Sequence, residues 1–365
     1  MQLIDWRVAT ATATRLVPPG PRLPLAEAVG IVDDLRDLAA QADEHVRGYT
    51  GLAAPDGATA NSPVTVVDRP GWVRSNVEGF RSLLDPILET LTEGRAVPFG
   101  AVASTIGPKA TGAEVGALLA YLATRVLGQF ELLGPAPDES TGGRLTLVAP
   151  NIVATERALG VDPHDFRLWV CLHEVTHRTQ FAAAPWLQGH VRSLMRDYLT
   201  AADLDPTAVL SRLRGALGSL AGAARGGSDL SLLELVQTPE QRAVLDRVTG
   251  LMSLLEGHAD VVMDGVGPAV IPSVAAIRER FEGRRRSGNP LERMLRRLFG
   301  IDMKLKQYAE GARFVRAVVE TAGMDGLNRV WAGPELLPDA AEIRQPQQWT
   351  ARVFADPPAL PAVNG

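Results

Sequence analysis

The chain has 365 residues, enough to bury a substantial core in one large domain or two. Its 46% hydrophobic and 22% charged content is ordinary for a soluble globular protein, and a net charge of −5 argues against a general nucleic-acid binder. The single cysteine, Cys171, excludes an internal disulfide, and no apolar run is long enough to span a membrane, so a cytoplasmic protein is expected.

In chain order, Met1 to Arg7 carries an early acid and no long apolar stretch, unlike a signal peptide. Val17-Pro18-Pro19-Gly20-Pro21 is a stop and turn. The spacing of Ala28, Val29, Val32, Leu35 and Leu38 predicts a helix from Leu25 to about His45. Ala53 to Ser62 reads as a linker or exposed loop, and Val64 to Trp72 as a strand ending at a Pro-Gly turn. A helix capped by Ser75 is expected to run to Thr92. Ala113 to Phe130 is rich in small residues and predicts a long, tightly packed core helix. After the loop Gly134 to Gly143, Arg144 to Pro150 reads as a strand. Such a strand either offers its edge to an extended peptide or lies inside a sheet.

The next stretch carries the chemistry. His173-Glu174-Val175-Thr176-His177 has the H-E-x-x-H pattern inside an apolar helical context. Four residues place the two imidazoles about 40° apart around a helix, so both can meet one ion. Glu174 lies about 100° from His173 and can reach a water on that ion without displacing a ligand. Two neutral nitrogens with an adjacent carboxylate are what a zinc hydrolase requires. Cys171 reads as a small core residue.

Zinc requires a further protein ligand, and Leu255-Glu256-Gly257-His258-Ala259-Asp260 offers two. Glu256 is preferred, because Asp260 then shares its face and can hydrogen-bond the outer nitrogen of a ligand histidine. His258 is the rival; at about 200° from Glu256 on a helix, both cannot bind the same ion. Apolar neighbours such as Leu254, Val261 and Val262 leave little room for idle charge.

Between these stretches, Pro185 to Gly250 reads as mostly helical, and Gly215 to Gly227 as a surface loop or mobile lid. The arginine run from Ile277 to Phe299 interleaves with Glu279, Glu282 and Glu292, so a solvated, salt-bridged face is expected rather than a nucleic-acid site. Tyr308 and Arg313 are candidates to stabilise an oxyanion, with structural roles as the alternative. The tail from Asp356, with Pro357, Pro358 and Pro361, is expected to be disordered.

Asp165 to Trp169 running into the histidine motif, Glu256 to Asp260, Lys306 to Val315 and Gly323 to Trp331 together resemble the zincin-like metallopeptidases of actinobacteria and relatives. Asp5-Trp6, Leu16 to Pro21 and Val67 to Trp72 are similar to the branch associated with biosynthesis of the deazaflavin redox coenzyme (coenzyme F-420). The resemblance implies a mainly α (α+β) zincin-like fold with a small β element, and His173, Glu174, His177 and Glu256 in the metal site. The expected organisation is a helical region over 1–140, a metal-binding catalytic region over 141–355 and a tail over 356–365. The expected activity is hydrolysis of a peptide or amide-containing small molecule, with Zn²⁺ as cofactor and neither nucleic acid nor membrane as partner. A zinc-stabilised scaffold without turnover, or a binding protein for a biosynthetic partner or coenzyme precursor, is the alternative.

Overall fold

The computed structural model describes residues 3–54, 64–92, 101–131, 143–201, 238–286 and 301–355, and helix dominates them. Helix α1 (Trp6–Leu16) starts where the Asp5 carboxylate accepts from the N–H groups of Arg7 and Val8. Helix α2 (Leu25–Thr50) is longer than its spacing predicts and buries Ile31, Leu35, Leu38, Ala42 and Val46, while Val29 is exposed. It ends at Gly51, whose φ of 65° lets its N–H turn back to the Arg47 carbonyl.

Strand β1 (Val64–Val67) leads directly into α3 (Arg69–Thr92). Asp68 caps this helix by accepting from the Gly71 N–H at 2.6 Å, so Ser75 is not the cap. The Ser75 hydroxyl instead donates to Glu131 Oε1 at 2.8 Å. Helix α4 (Ala101–Leu122) packs on α1, with Gly112 and Gly116 against the backbone of Asp5 and Ala9. It stops at Leu122 rather than at Phe130, and the chain turns into β2 (Gly128–Glu131). There the backbone groups pair with β3 (Arg144–Val148), a demand that helical spacing in isolation does not reveal.

The three strands are ordered β1-β3-β2, with β1 parallel and β2 antiparallel to β3. The strand at 144–148 is therefore interior, and β2 is an edge among the described residues. Helix α5 (Ala149–Leu159) follows, then α6 (Pro163–Ala183), α7 (Trp186–Thr200), α8 (Pro239–Val266), α9 (Val274–Arg286) and α10 (Ile301–Asn328). Gly323, at φ 73°, interrupts α10, and α11 (Ala340–Arg344) and α12 (Pro346–Phe354) close the described chain.

Helix α6 is the centre of the molecule. Asp162 caps it through the Asp165 N–H, Pro163 opens it, and apolar side chains surround it on nearly every face. Phe166, Val170 and Leu172 pack with Leu35 and Leu38 of α2 and with Leu145 and Leu147 of β3. Each such side chain contributes about 1.5–3 kcal/mol on burial. Cys171 is fully buried in the same cluster. Two ion pairs register α6 on α2: Arg178 with Asp43 at 2.7 Å and Arg167 with Asp34 at 2.9 Å.

The arginines of α9 whose side chains are described make intramolecular bonds. Arg278 pairs with Asp264 at 2.7 Å, and Arg280 donates to the Leu159 carbonyl at 3.0 Å. The glycine-rich stretch 215–227, the arginines beyond residue 286 and the tail from 356 lie outside the described residues. No helix among the described residues is long and apolar enough to cross a membrane.

Candidate metal centre

His173 and His177 project from α6 toward α8, one helical turn apart, with their ring planes nearly perpendicular at 88°. Their Nε2 atoms are 3.2 Å apart. Glu256 of α8 completes a triangle, with Oε2 3.6 Å from His173 Nε2 and Oε1 3.8 Å from His177 Nε2. These three residues form a group able to hold a metal ion, their donor atoms lying within 4.8 Å of one another.

The donor set fits a divalent ion. Bonds of ~2.0–2.1 Å in tetrahedral geometry put neighbouring donors about 3.3 Å apart, close to the spacing of the two imidazole nitrogens. Two imidazole nitrogens and a carboxylate are also a chemistry that zinc accepts. Without a cation or a proton between them, lone pairs at these distances repel.

The His177 tautomer follows from its neighbours. Nδ1 lies 2.9 Å from Gln180 Oε1, and Gln180 Nε2 donates to the Leu255 carbonyl at 2.9 Å. A backbone carbonyl only accepts, so the amide nitrogen faces Leu255 and the amide oxygen faces His177. His177 therefore carries its hydrogen on Nδ1 and presents a bare Nε2 to the triangle.

Glu174 lies beside the trio and is only 6% exposed. Its carboxyl rests on Gly128 of β2, where a Cβ would come within 2.7 Å of Glu174 Cγ. Burial, reinforced by the neighbouring Glu256 carboxylate, pushes the Glu174 carboxyl up to about 8. A group with that proton affinity both accepts and gives up a proton near neutral pH.

His258, the alternative ligand, lies outside the triangle. It is fully buried, with Nδ1 2.9 Å from Gln180 Nε2 and its ring edge-on to Trp331 at 5.5 Å. Burial and the nearby His177 push its ring down to about 3, which keeps it neutral. Asp260, one turn beyond Glu256, lies 3.9 Å from Arg278, which also donates to the Asp260 carbonyl at 3.2 Å. Arg313 is exposed on α10. The side chain of Tyr308 lies outside the described residues.

Three features of the site are not evident from the sequence. Gln180 stands three residues after His177 on the same helical face, a spacing that could have drawn attention. Gly128 becomes meaningful only once β2 is brought to α6. Gly257 and Gly311 let α8 and α10 touch backbone to backbone immediately after Glu256, because a Cβ on either would enter the other helix.

The sequence matches the zincin-like metallopeptidase family over residues 4–350. It is also similar to a crystal structure of a candidate hydrolase with a novel fold from Chloroflexus aurantiacus. That likeness has 34% identity, covers 97% of this chain and 100% of the other, and has a TM-score of 0.69. No curated protein matches. A family match spanning almost the whole chain, joined to a histidine, histidine and glutamate triangle, places this protein in the zincin-like metallopeptidase family.

Proposed function

We propose that the protein is a zinc-dependent hydrolase of amide or peptide bonds, with His173, His177 and Glu256 holding the ion. The observation that carries this reading is Glu174, a buried carboxyl set beside the ligand trio but outside it. A purely structural zinc site closes its coordination with a further ligand and has no use for such an acid. Zn²⁺ supplies Lewis acidity when bound, lowering the pKa of water to about 7 and polarising a carbonyl.

The chain's own residues do the rest. Glu174 accepts the proton of the attacking water and delivers it to the leaving nitrogen. Gln180 holds His177 in the tautomer whose bare nitrogen faces the site. Asp260 is the candidate to steady the other ligand imidazole from the turn beyond Glu256. Tyr308 and Arg313 are the candidates to donate to the carbonyl oxygen as negative charge develops there. The outer edge of β2, beside Glu174, has no strand partner among the described residues and offers backbone groups to an extended substrate.

The resemblance of Asp5-Trp6, Leu16 to Pro21 and Val67 to Trp72 to the branch associated with the deazaflavin coenzyme supports a link to the biosynthesis of that coenzyme. The polyglutamate tail of that coenzyme supplies amide bonds. The lone cysteine supports a cytoplasmic setting.

The test is Glu174→Gln against a broad amide and peptide library. The variant is expected to keep its zinc and to lose turnover by at least ~10²-fold. Hydrolysis at the native rate would remove Glu174 from the mechanism.

A further inference from the structure

We infer that Gln180 is a positioning residue that braces the metal centre across two helices, and that His258 holds the brace in place. The inference rests on the reading of the trio as a metal centre.

The side chain of Gln180 is fully buried between α6 and α8. Its oxygen accepts from His177 Nδ1 at 2.9 Å, and its nitrogen donates to the Leu255 carbonyl and to His258 Nδ1, both at 2.9 Å. Leu255 immediately precedes Glu256. One amide thus links the imidazole of an α6 ligand to the backbone beside the α8 ligand. It fixes the His177 tautomer and the register of the two helices in a single group.

His258 explains why that amide stays put. Accepting at Nδ1 places the His258 hydrogen on Nε2, which is buried with no hydrogen-bond partner among the described residues. An unmet N–H in the interior is unfavourable, and an apolar ring at this position would avoid it. The nitrogen in use is the one that receives the second amide hydrogen of Gln180. With both hydrogens engaged, the amide has no reason to turn its nitrogen toward His177, an orientation that would force His177 onto the wrong tautomer.

The experiment measures zinc affinity of the full chain by competition with a chromophoric chelator, together with the visible absorption of the Co²⁺-loaded protein. Gln180→Asn keeps an amide but withdraws it from His177, and Gln180→Glu keeps an acceptor at the same reach. Gln180→Asn is expected to weaken zinc binding by roughly 10–100-fold and to shift the Co²⁺ band, with Gln180→Glu, which keeps the acceptor for His177 but loses both amide hydrogens, falling between Gln180→Asn and wild type. His258→Phe, which frees one amide hydrogen, is expected to weaken binding by about threefold to tenfold. Wild-type zinc affinity in Gln180→Asn, whatever its melting temperature, would overturn the brace; a Gln180→Glu as weak as Gln180→Asn would overturn the role of the His177 contact, and one as tight as wild type would overturn the link to α8. Unchanged affinity in His258→Phe would overturn the holding role of His258. A wild-type chain that binds no zinc is a distinct result and removes the metal centre itself.

Discussion

The carboxyl of Glu174 lies directly on the backbone of Gly128, where a Cβ would stand 2.7 Å from Cγ and 2.8 Å from Cδ. A glycine in an edge strand thus makes room for the proposed proton carrier. Gly128→Ala is expected to displace that carboxyl and lower turnover by about 10²-fold, because small misplacements of a reacting group carry effects of that size. Zinc content should not change. Measuring both on one preparation separates displacement of Glu174 from loss of the metal.

The two candidates for the third ligand occupy different surroundings. Glu256 closes the triangle with the histidines, whereas His258 lies fully buried against Gln180 and Trp331. Glu256→Ala should lose zinc on dialysis, and His258→Ala should retain one zinc per chain with weakened affinity. Elemental analysis gives the answer, and the reverse pattern would reassign the ligand.

Stability of the metal-free protein should carry the signature of Glu174. Its folded carboxyl is raised to about 8 from an ordinary 4.5, so the folded chain binds this proton more tightly than the unfolded chain. That stabilisation is complete below the unfolded value and is lost as pH rises through the folded one. His258 behaves oppositely. Its folded value, about 3 against 6.5, gives stability that is present above 6.5 and lost as pH falls. Between about pH 4.5 and 6.5 the two trends oppose each other, which leaves about pH 6.5 to 8 as the window for Glu174 alone. Melting temperature of the apo protein should decline across that window, and Glu174→Gln should flatten the decline. Parallel curves for the two proteins would show that Glu174 titrates normally.

What was legible in the sequence follows the reach of local geometry. His173, Glu174 and His177 could be placed on one helix because their relation is set by 3.6 residues per turn, and Glu256 could be preferred over His258 by the same arithmetic. The relation of Gln180 to His258 was not legible, because it depends on how far α6 and α8 are rotated against each other. That rotation shows only in contacts between residues far apart in the chain, such as Gln180 Nε2 on the Leu255 carbonyl. Strand β2 was hidden inside a helical pattern of small residues, and only its pairing with β3 reveals it. The start of α3 was misplaced for a related reason. Asp68 and Ser75 are both acceptable caps, and Ser75 is instead engaged by Glu131 from the sheet.

The most direct test of the account is the metal content of the native protein beside that of His173→Ala, measured by elemental analysis before and after treatment with a chelator. The native chain is expected to carry one zinc and the variant none, with amide hydrolysis that disappears with the metal. A native chain that carries no metal and recovers none from added zinc would contradict it.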